Sequence, residues 1–160
     1  MSTYTITRSV VVDTEPERVL PLITRFENWR RWSPFEDSDP QLKREYRGPE
    51  EGTGAVYEWE GNAKAGAGIM TITEVTACQA LIELEFLRPF KSSSRHVFSV
   101  TPSGGAASTV TWTMHGEQKG LTGLVTRFVM PMEKVMGPEF EKGLAALKDA
   151  AEADAESTAP

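Results

Sequence analysis

Alternation of polar and apolar residues dominates the chain as far as about residue 117. The stretch "YTITRSVVV" at 4–12 alternates and is rich in β-branched residues, which predicts a first strand. Further alternating segments lie at 41–47, 55–61, 68–76, 81–87, 95–101 and 109–117. The connections between them are short and rich in turn-forming residues, as in "GPEEGTG" and "PSGGAAS". We therefore expect the strands to form an antiparallel meander.

Helical patterns interrupt or follow this alternation. "DTEPERVLPLI" predicts a helix over about residues 15–23, and "RFENWRRW" predicts a second short one that ends before "SPF". Beyond residue 120 the apolar residues recur every three or four positions, as on one helix face. They are Leu121, Leu124, Phe128, Met132, Val135 or Met136, Phe140, Leu144 and Leu147. Pro131 and the pair Gly137 and Pro138 are expected to kink or break this helix.

The order of these elements predicts an α+β fold, in which a strongly curved, seven-stranded antiparallel sheet wraps around the long helix. The sheet must bury one face, and only the long helix is large enough to cover it. In the third strand Glu58 and Glu60 belong outside, so Tyr57 and Trp59 point inward. The fourth strand permits two assignments. We place Met70 inside, and the opposite choice brings in Ile69 and Thr71.

The inward-facing side chains are mostly large aromatic residues and methionines. They are Tyr57, Trp59, Met70, Phe86, His96, Phe98, Trp112 and Met114 from the strands, with Phe128, Met132 and Met136 from the helix. One interpretation is a solid core, which any such sheet requires. The other is a cavity wall, because methionine adapts to varied ligands and tyrosine and tryptophan bring polar atoms. Trp29 and Trp32 are placed at the rim of that cavity.

Composition and charge narrow the class of protein. The 160 residues are expected to form one domain over 1–151, followed by an acidic, disordered tail at 152–160. The net charge is −6 and no basic stripe is present, which disfavours nucleic-acid binding. No apolar run is long enough to insert into a membrane, and the start of the chain does not read as a signal peptide. A single cysteine, Cys78, suits a cytoplasmic location. The sequence leaves monomer and homodimer open.

Five segments carry a resemblance to a known group of proteins. They are "NWRRWSPF", "YEWEGNAKAGAGIMTI", "LEFLRPF", "VTWTMHG" and "GPEFEKGLAALK", and they are spread along the chain from residue 28 to residue 148. The chain resembles the START-like and polyketide cyclase/dehydrase-like proteins of the SRPBCC superfamily, and in particular a bacterial subgroup of it. The resemblance implies the helix-grip fold. It implies no single activity, since the superfamily includes passive binders, hormone receptors, aromatases and cyclases.

Few residues are candidates for catalysis. His96 is predicted to face inward; a structural role in the core or at the rim is the favoured interpretation, and His96 and Tyr57 are the candidates for moving protons. His115 shares the outward parity of Thr113, and Cys78 lies in a turn without an obvious base. Asn62 and Arg88 lie at strand ends, where a cavity mouth is expected. We expect no metal site and no cofactor.

Three hypotheses follow. The first is a non-enzymatic binder of a small apolar or aromatic molecule, with the inward-facing set and Trp32 as its wall and His96 or Tyr57 as its polar contact. The second is a cyclase or dehydratase without metal or nucleotide cofactor, in which His96 and Tyr57 move protons in a cavity-bound substrate. The third is an interaction module with a filled core.

Overall fold

The computed structural model describes residues 2–36, 39–88, 91–118 and 132–158. The strands are β1 (Ser2–Val12), β2 (Lys43–Arg47), β3 (Val56–Glu60), β4 (Ala67–Val75), β5 (Gln79–Arg88), β6 (Ser92–Pro102) and β7 (Ser108–Gln118). A first helix (Pro16–Thr24) and a 3-10 helix (Phe26–Arg31) follow β1, and a C-terminal helix (Met132–Thr158) ends the described chain. This is the predicted α+β architecture.

The seven strands form one antiparallel sheet in the order β1-β7-β6-β5-β4-β3-β2. Successive strands from β2 to β7 are neighbours, as a meander requires, and β1 closes the other edge beside β7. The β4–β5 register shifts between Ala67 and Gly68 and again between Ile72 and Glu74. Such bulges bend and twist a strand, which curves the sheet toward the helix.

The two faces of the sheet differ as the alternation predicts. The concave face carries the buried apolar residues, and the convex face carries polar ones, including hydroxyl pairs between β1 and β7. Thr7 donates to Thr113 over 3.4 Å, and Ser9 lies 3.0 Å from Thr111. Met70 is partly buried against the core, which confirms the inward choice made for β4.

The C-terminal helix covers the concave face with Phe140, Leu144, Leu147 and Ala151, all of which are buried. Their spacing of three and four residues places them on one side of the helix. The helix is uninterrupted at Gly137 and Pro138, so the break predicted there is wrong. A Cβ at 137 would lie 2.4 Å from the guanidinium of Arg8, so Gly137 lets this flexible side chain approach the helix closely. Pro131 and the predicted face at 121–131 lie outside the described residues.

Residues 152–158, part of the tail expected to be disordered at 152–160, belong to the C-terminal helix. The helix continues to Thr158, and Pro160 lies outside the described residues. Glu152 accepts a hydrogen bond from the Asp13 amide over 2.8 Å, and Asp154 forms two hydrogen bonds, of 2.7 and 3.0 Å, with Arg31. These contacts, together with several alanines of high helix propensity, stabilise the last turns.

Candidate functional site

The half of the core beneath the C-terminal helix is solidly packed with aromatic rings. Trp112 stacks on Phe140 with ring centres 3.9 Å apart and planes 9° apart. Phe98 lies 4.9 Å from Trp112, and Trp32 meets Trp112 edge-on at 5.7 Å. We call Trp29, Trp32, Phe98, Trp112 and Phe140 the filled half. All five belong to the hydrophobic core of the described residues.

Trp29 and Trp32 are core residues and not rim residues, so that expectation is wrong. They are only 4% and 3% exposed, and each donates its indole N–H over 2.8 Å, to the carbonyls of Ile23 and Leu22. Phe26, Trp29 and Trp32 are spaced by three residues, and a 3-10 helix has three residues per turn. That spacing stacks the three rings on the side facing the sheet, and it was the signal available in the sequence.

Burial decreases along the concave face toward the turns that join β3 to β4 and β5 to β6. The register sets rows of side chains across the strands. The row Ile6, Met114, His96, Ile82 and Ile72 is buried throughout. Beside the buried Tyr57, Leu84 and Gly116, the next row contains the partly buried Tyr4, Ser94 and Met70, and the last row contains the partly buried Trp59, Phe86 and Ser92. We call these six partly buried residues the open end.

Small residues separate the large ones at the open end. Gly68 lies between Trp59 and Phe86 in the register, and a Cβ there would be 2.3 Å from the Trp59 ring. The Trp59 indole therefore lies flat across β4, with its N–H donated to the Ala65 carbonyl over 3.0 Å. Phe86 meets Trp59 edge-on at 5.5 Å. The result is an apolar surface whose own polar atom is already satisfied.

Tyr57 belongs to a buried polar cluster that the sequence patterns did not reveal. Its hydroxyl donates to Glu36 over 2.8 Å, and Arg44 donates its Nε to the other Glu36 oxygen over 2.6 Å. Glu36 is only 7% exposed, so the guanidinium compensates its buried charge. Burial, reinforced by the nearby Glu36 carboxylate, raises the pKa of Tyr57 far above its usual value. Tyr57 is thus held as a hydrogen-bond donor to protein.

His96 is also committed to protein partners. Trp112 donates its indole N–H to His96 Nδ1 over 2.9 Å, and Nε2 lies 3.2 Å from the Ser94 hydroxyl. Because an indole can only donate, Nδ1 must be unprotonated and Nε2 must carry the hydrogen. Burial lowers the pKa of His96 to about 4, so the ring is neutral at pH 7. Its basic nitrogen is occupied, which removes the lone pair a general base requires.

The predicted pair of Tyr57 and His96 is not brought together. Tyr57 is on β3 and His96 on β6, with β4 and β5 between them. Three strand-to-strand spacings separate Tyr57 from His96 by roughly 14 Å across the sheet. Each side chain is hydrogen-bonded within its own group of residues. Their separation gives no support to a joint action of the two residues on one bound substrate, and their catalytic role stays a prediction.

The remaining candidates divide among core, surface and undescribed positions. Phe98, Trp112 and Met114 face inward as predicted but are buried, whereas Met136 is partly buried against the core. Phe128 lies outside the described residues, and for Met132 only the helical backbone is described. Whether any of the predicted set contacts a ligand stays a prediction.

The polar residues outside the core have structural roles. His115 is exposed, with Nδ1 3.2 Å from the Thr5 hydroxyl, and Cys78 is exposed in its turn. Asn62 accepts two amide hydrogens within its turn, and Arg88 donates to the Gly61 carbonyl over 3.2 Å. Over the described ranges, no three histidine, cysteine or carboxylate side chains converge on a point that could hold a metal ion.

A separate, half-open groove of about 220 Å³ lies between the 3-10 helix and the β2–β3 hairpin. Its lining residues are Phe26, Glu27, Tyr46, Arg47, Gly48, Pro49, Glu50, Ala55 and Val56. Arg25 forms ion pairs with Glu50 and Glu27, and Arg47 pairs with Glu58. The charged side chains in and around the groove are therefore paired, and its charged lining differs from that of the predicted apolar cavity.

Comparison with known proteins shows which family the chain matches. The family described as "Polyketide cyclase / dehydrase and lipid transport" matches residues 3–152. No curated protein matches the sequence. In the part of the chain that the structure describes, no helix combines the length and apolarity needed to cross a membrane.

Several solved structures share the fold at low sequence identity. Norcoclaurine synthase from Thalictrum flavum, in complex with dopamine and hydroxybenzaldehyde, is 12% identical with a TM-score of 0.69, over 99% of this chain and 90% of that one. A protein from Thermobifida fusca solved by NMR is 24% identical with a TM-score of 0.64, over 92% of each chain. The Mll3558 protein from Rhizobium loti is 20% identical with a TM-score of 0.61, over 91% of this chain and 97% of that one.

Proposed function

Because the chain belongs to the polyketide cyclase / dehydrase and lipid transport family, we propose that it binds a small apolar or aromatic molecule at the open end of the sheet. The observation that carries this proposal is the decrease in burial along one face. The inward-facing Ile6, Met114, Ile82 and Ile72 are buried, the row of Met70 mixes buried Tyr57 and Leu84 with partly buried residues, and Trp59 and Phe86 in the last row are only partly buried.

The chemistry of the open end favours an apolar ligand. Aromatic rings and a methionine present surface that gains about 25 cal/mol for each Å² removed from water. The methionine adapts its shape, whereas the two rings provide flat walls at right angles to each other. The Trp59 indole N–H is already bonded to protein, so a ligand without polar atoms there leaves no donor unsatisfied.

The same contacts weigh against catalysis by the two residues predicted for it. The basic nitrogen of His96 accepts from Trp112, and the Tyr57 hydroxyl donates to Glu36. A cyclase or dehydratase that used them would first have to break a buried hydrogen bond, at a cost of about 1–3 kcal/mol each. Binding without turnover requires no such rearrangement.

The proposal is tested by native mass spectrometry of the purified protein, compared with the denatured protein, followed by thermal-shift measurements with aromatic and fatty compounds. The matched variants are S92W, whose new side chain faces the open end, and S93W, whose new side chain faces solvent one residue away. We expect an adduct or a thermal shift with wild type and S93W and its loss with S92W. No adduct and no shift with wild type would contradict the proposal and favour the filled-core interaction module.

A further inference from the structure

Ser94 occupies a special position at the open end because of the side chains behind it. On the concave face it lies beside Leu84 of β5 and Gly116 of β7 in the register, and it is partly buried. Gly116 has no side chain, and the ring of Tyr4 lies across it. Ser94 is therefore a small polar residue at the open end, which also carries the hydroxyls of Tyr4 and Ser92 beside the apolar Trp59, Met70 and Phe86.

The direction of each hydrogen bond behind Ser94 follows from the chemistry of the donors. The Trp112 indole N–H can only donate, so His96 Nδ1 accepts and His96 Nε2 carries the hydrogen. Nε2 then donates to the Ser94 oxygen, which lies 3.2 Å away. The hydroxyl hydrogen of Ser94 cannot point back at the histidine. Among the described residues it has no acceptor.

From this chain of hydrogen bonds we infer that Ser94 is the residue that recognises the polar atom of the ligand, and that the ligand is a neutral apolar or aromatic molecule with an acceptor oxygen, such as a ketone carbonyl. This inference rests on the proposed function. It replaces the earlier assignment of the polar contact to His96 or Tyr57, since both are bonded to protein.

The hydrogen bonds from Trp112 to His96 and from His96 to Ser94 also affect which ligands are preferred. Because the buried histidine fixes the Ser94 oxygen as an acceptor on its inner side, the hydroxyl is oriented before the ligand arrives. A site built to donate one hydrogen bond discriminates against an analogue that lacks the acceptor. A hydrogen-bond donor at the same position of the ligand gains less, because one lone pair of Ser94 is already in use.

The test compares two probes of nearly the same shape, 2-acetylnaphthalene and 2-isopropenylnaphthalene, which differ in C=O against C=CH₂. Their dissociation constants are measured by calorimetry for wild type, S94A and S93A. We expect wild type and S93A to bind the ketone about three- to tenfold more tightly than the alkene, as for one neutral hydrogen bond. In S94A that ratio should fall to about one, whatever happens to the absolute affinities.

A second measurement requires no variant and covers the case in which S94A fails to fold. The ¹⁵N resonance of His96 Nε2 should shift when the ketone binds wild type and stay in place with the alkene. Equal affinity of wild type for both probes, or a ratio unchanged in S94A, would overturn the inference and leave the proposed function standing. Failure of both probes to bind wild type would count against the binding function itself.

Discussion

Phe98 and Trp112 of the filled half and Trp59 and Phe86 of the open end lie on the same face of one sheet, yet they differ in burial. Phe98 and Trp112 are enclosed by the 3-10 helix and by Phe140 of the C-terminal helix. Phe86 and Trp59 contact each other but remain partly exposed. The difference lies in what covers the strands and not in the strands themselves. Side-chain parity therefore identifies the face of the sheet, and packing partners decide whether a position on that face is buried or partly exposed.

The polar groups follow the same division. In the interior, each polar side chain discussed above has a protein partner: Trp112 with His96, and Tyr57 with Glu36. At the open end the Ser94 hydroxyl retains a hydrogen to donate. Because Ser94 is only partly buried, water or a ligand can accept this hydrogen.

The largest expected effect comes from one substitution made in both regions. F98A should lower the free energy of unfolding by about 3–5 kcal/mol, because it leaves a cavity among buried rings. F86A should cost only about 1 kcal/mol, since its ring is already partly solvated. Urea denaturation measures both. Similar losses for the two variants would mean that the open end is as tightly packed as the filled half.

The second prediction concerns pH and compares the two histidines of the chain. The folded pKa of His96 is about 4, below the unfolded value of about 6.5, so the unfolded state takes up a proton first. Stability that is present above pH 6.5 is then lost as the pH falls toward 4. Between pH 7 and pH 5 the loss should be about 2 kcal/mol.

The variants H96Q and H115Q separate this contribution from the rest. H96Q should flatten the dependence of unfolding free energy on pH in that window, whereas H115Q, at an exposed position, should retain it. Urea denaturation at pH 7, 6 and 5 provides the curves. A flattened curve in H115Q with an unchanged one in H96Q would refute the burial of a neutral His96.

The third prediction compares two tyrosines whose rings touch, with centres 5.2 Å apart. Y57F removes a donor from the buried Glu36 and should cost about 1–2 kcal/mol, because hydrogen bonds to charged groups exceed those between neutral ones. Y46F changes a more exposed residue and should cost less than about 0.5 kcal/mol. Thermal and urea unfolding measure the difference. Equal losses of unfolding free energy in the two variants would show that the hydrogen bond from Tyr57 to Glu36 does not stabilise the fold.

The smallest effect is expected at the end of the helix that covers the filled half. D154N removes the ion pair between Arg31 and Asp154, whose side chains are 41% and 44% exposed. Water and salt screen such pairs, so the loss should be about 0.5 kcal/mol and should shrink in 1 M NaCl. A loss of several kcal/mol would instead show that residues 152–158 are essential to the core.

Alternation was sufficient to predict the strands, their inward faces and the α+β fold, because the period of a strand is set by its backbone geometry. It did not identify Glu36, which lies in an irregular segment without a period, where only the fold brings it to Tyr57. The open end could not be located for a related reason. Trp59 and Trp112 look alike in sequence, and their exposure depends on elements distant along the chain.

Two expectations drawn from local sequence differ from the structure, because residues distant along the chain make contacts that a local pattern does not show. Acidic composition indicated a disordered tail, but Arg31 and the Asp13 amide bind Asp154 and Glu152. Gly137 indicated a broken helix, but the guanidinium of Arg8 occupies the space of its missing side chain. In both cases the partner lies more than one hundred residues away along the chain.

The central claim, that a ligand binds at the open end while the filled half stays closed, is tested most directly by the indole N–H signals of the four tryptophans. In a ¹H–¹⁵N titration with 2-acetylnaphthalene, the Trp59 signal should move, while those of Trp29 and Trp32, bonded to backbone carbonyls in the filled half, should remain in place. Movement of the Trp29 and Trp32 signals with the Trp59 signal unchanged would contradict the account and place the ligand among the rings of the filled half.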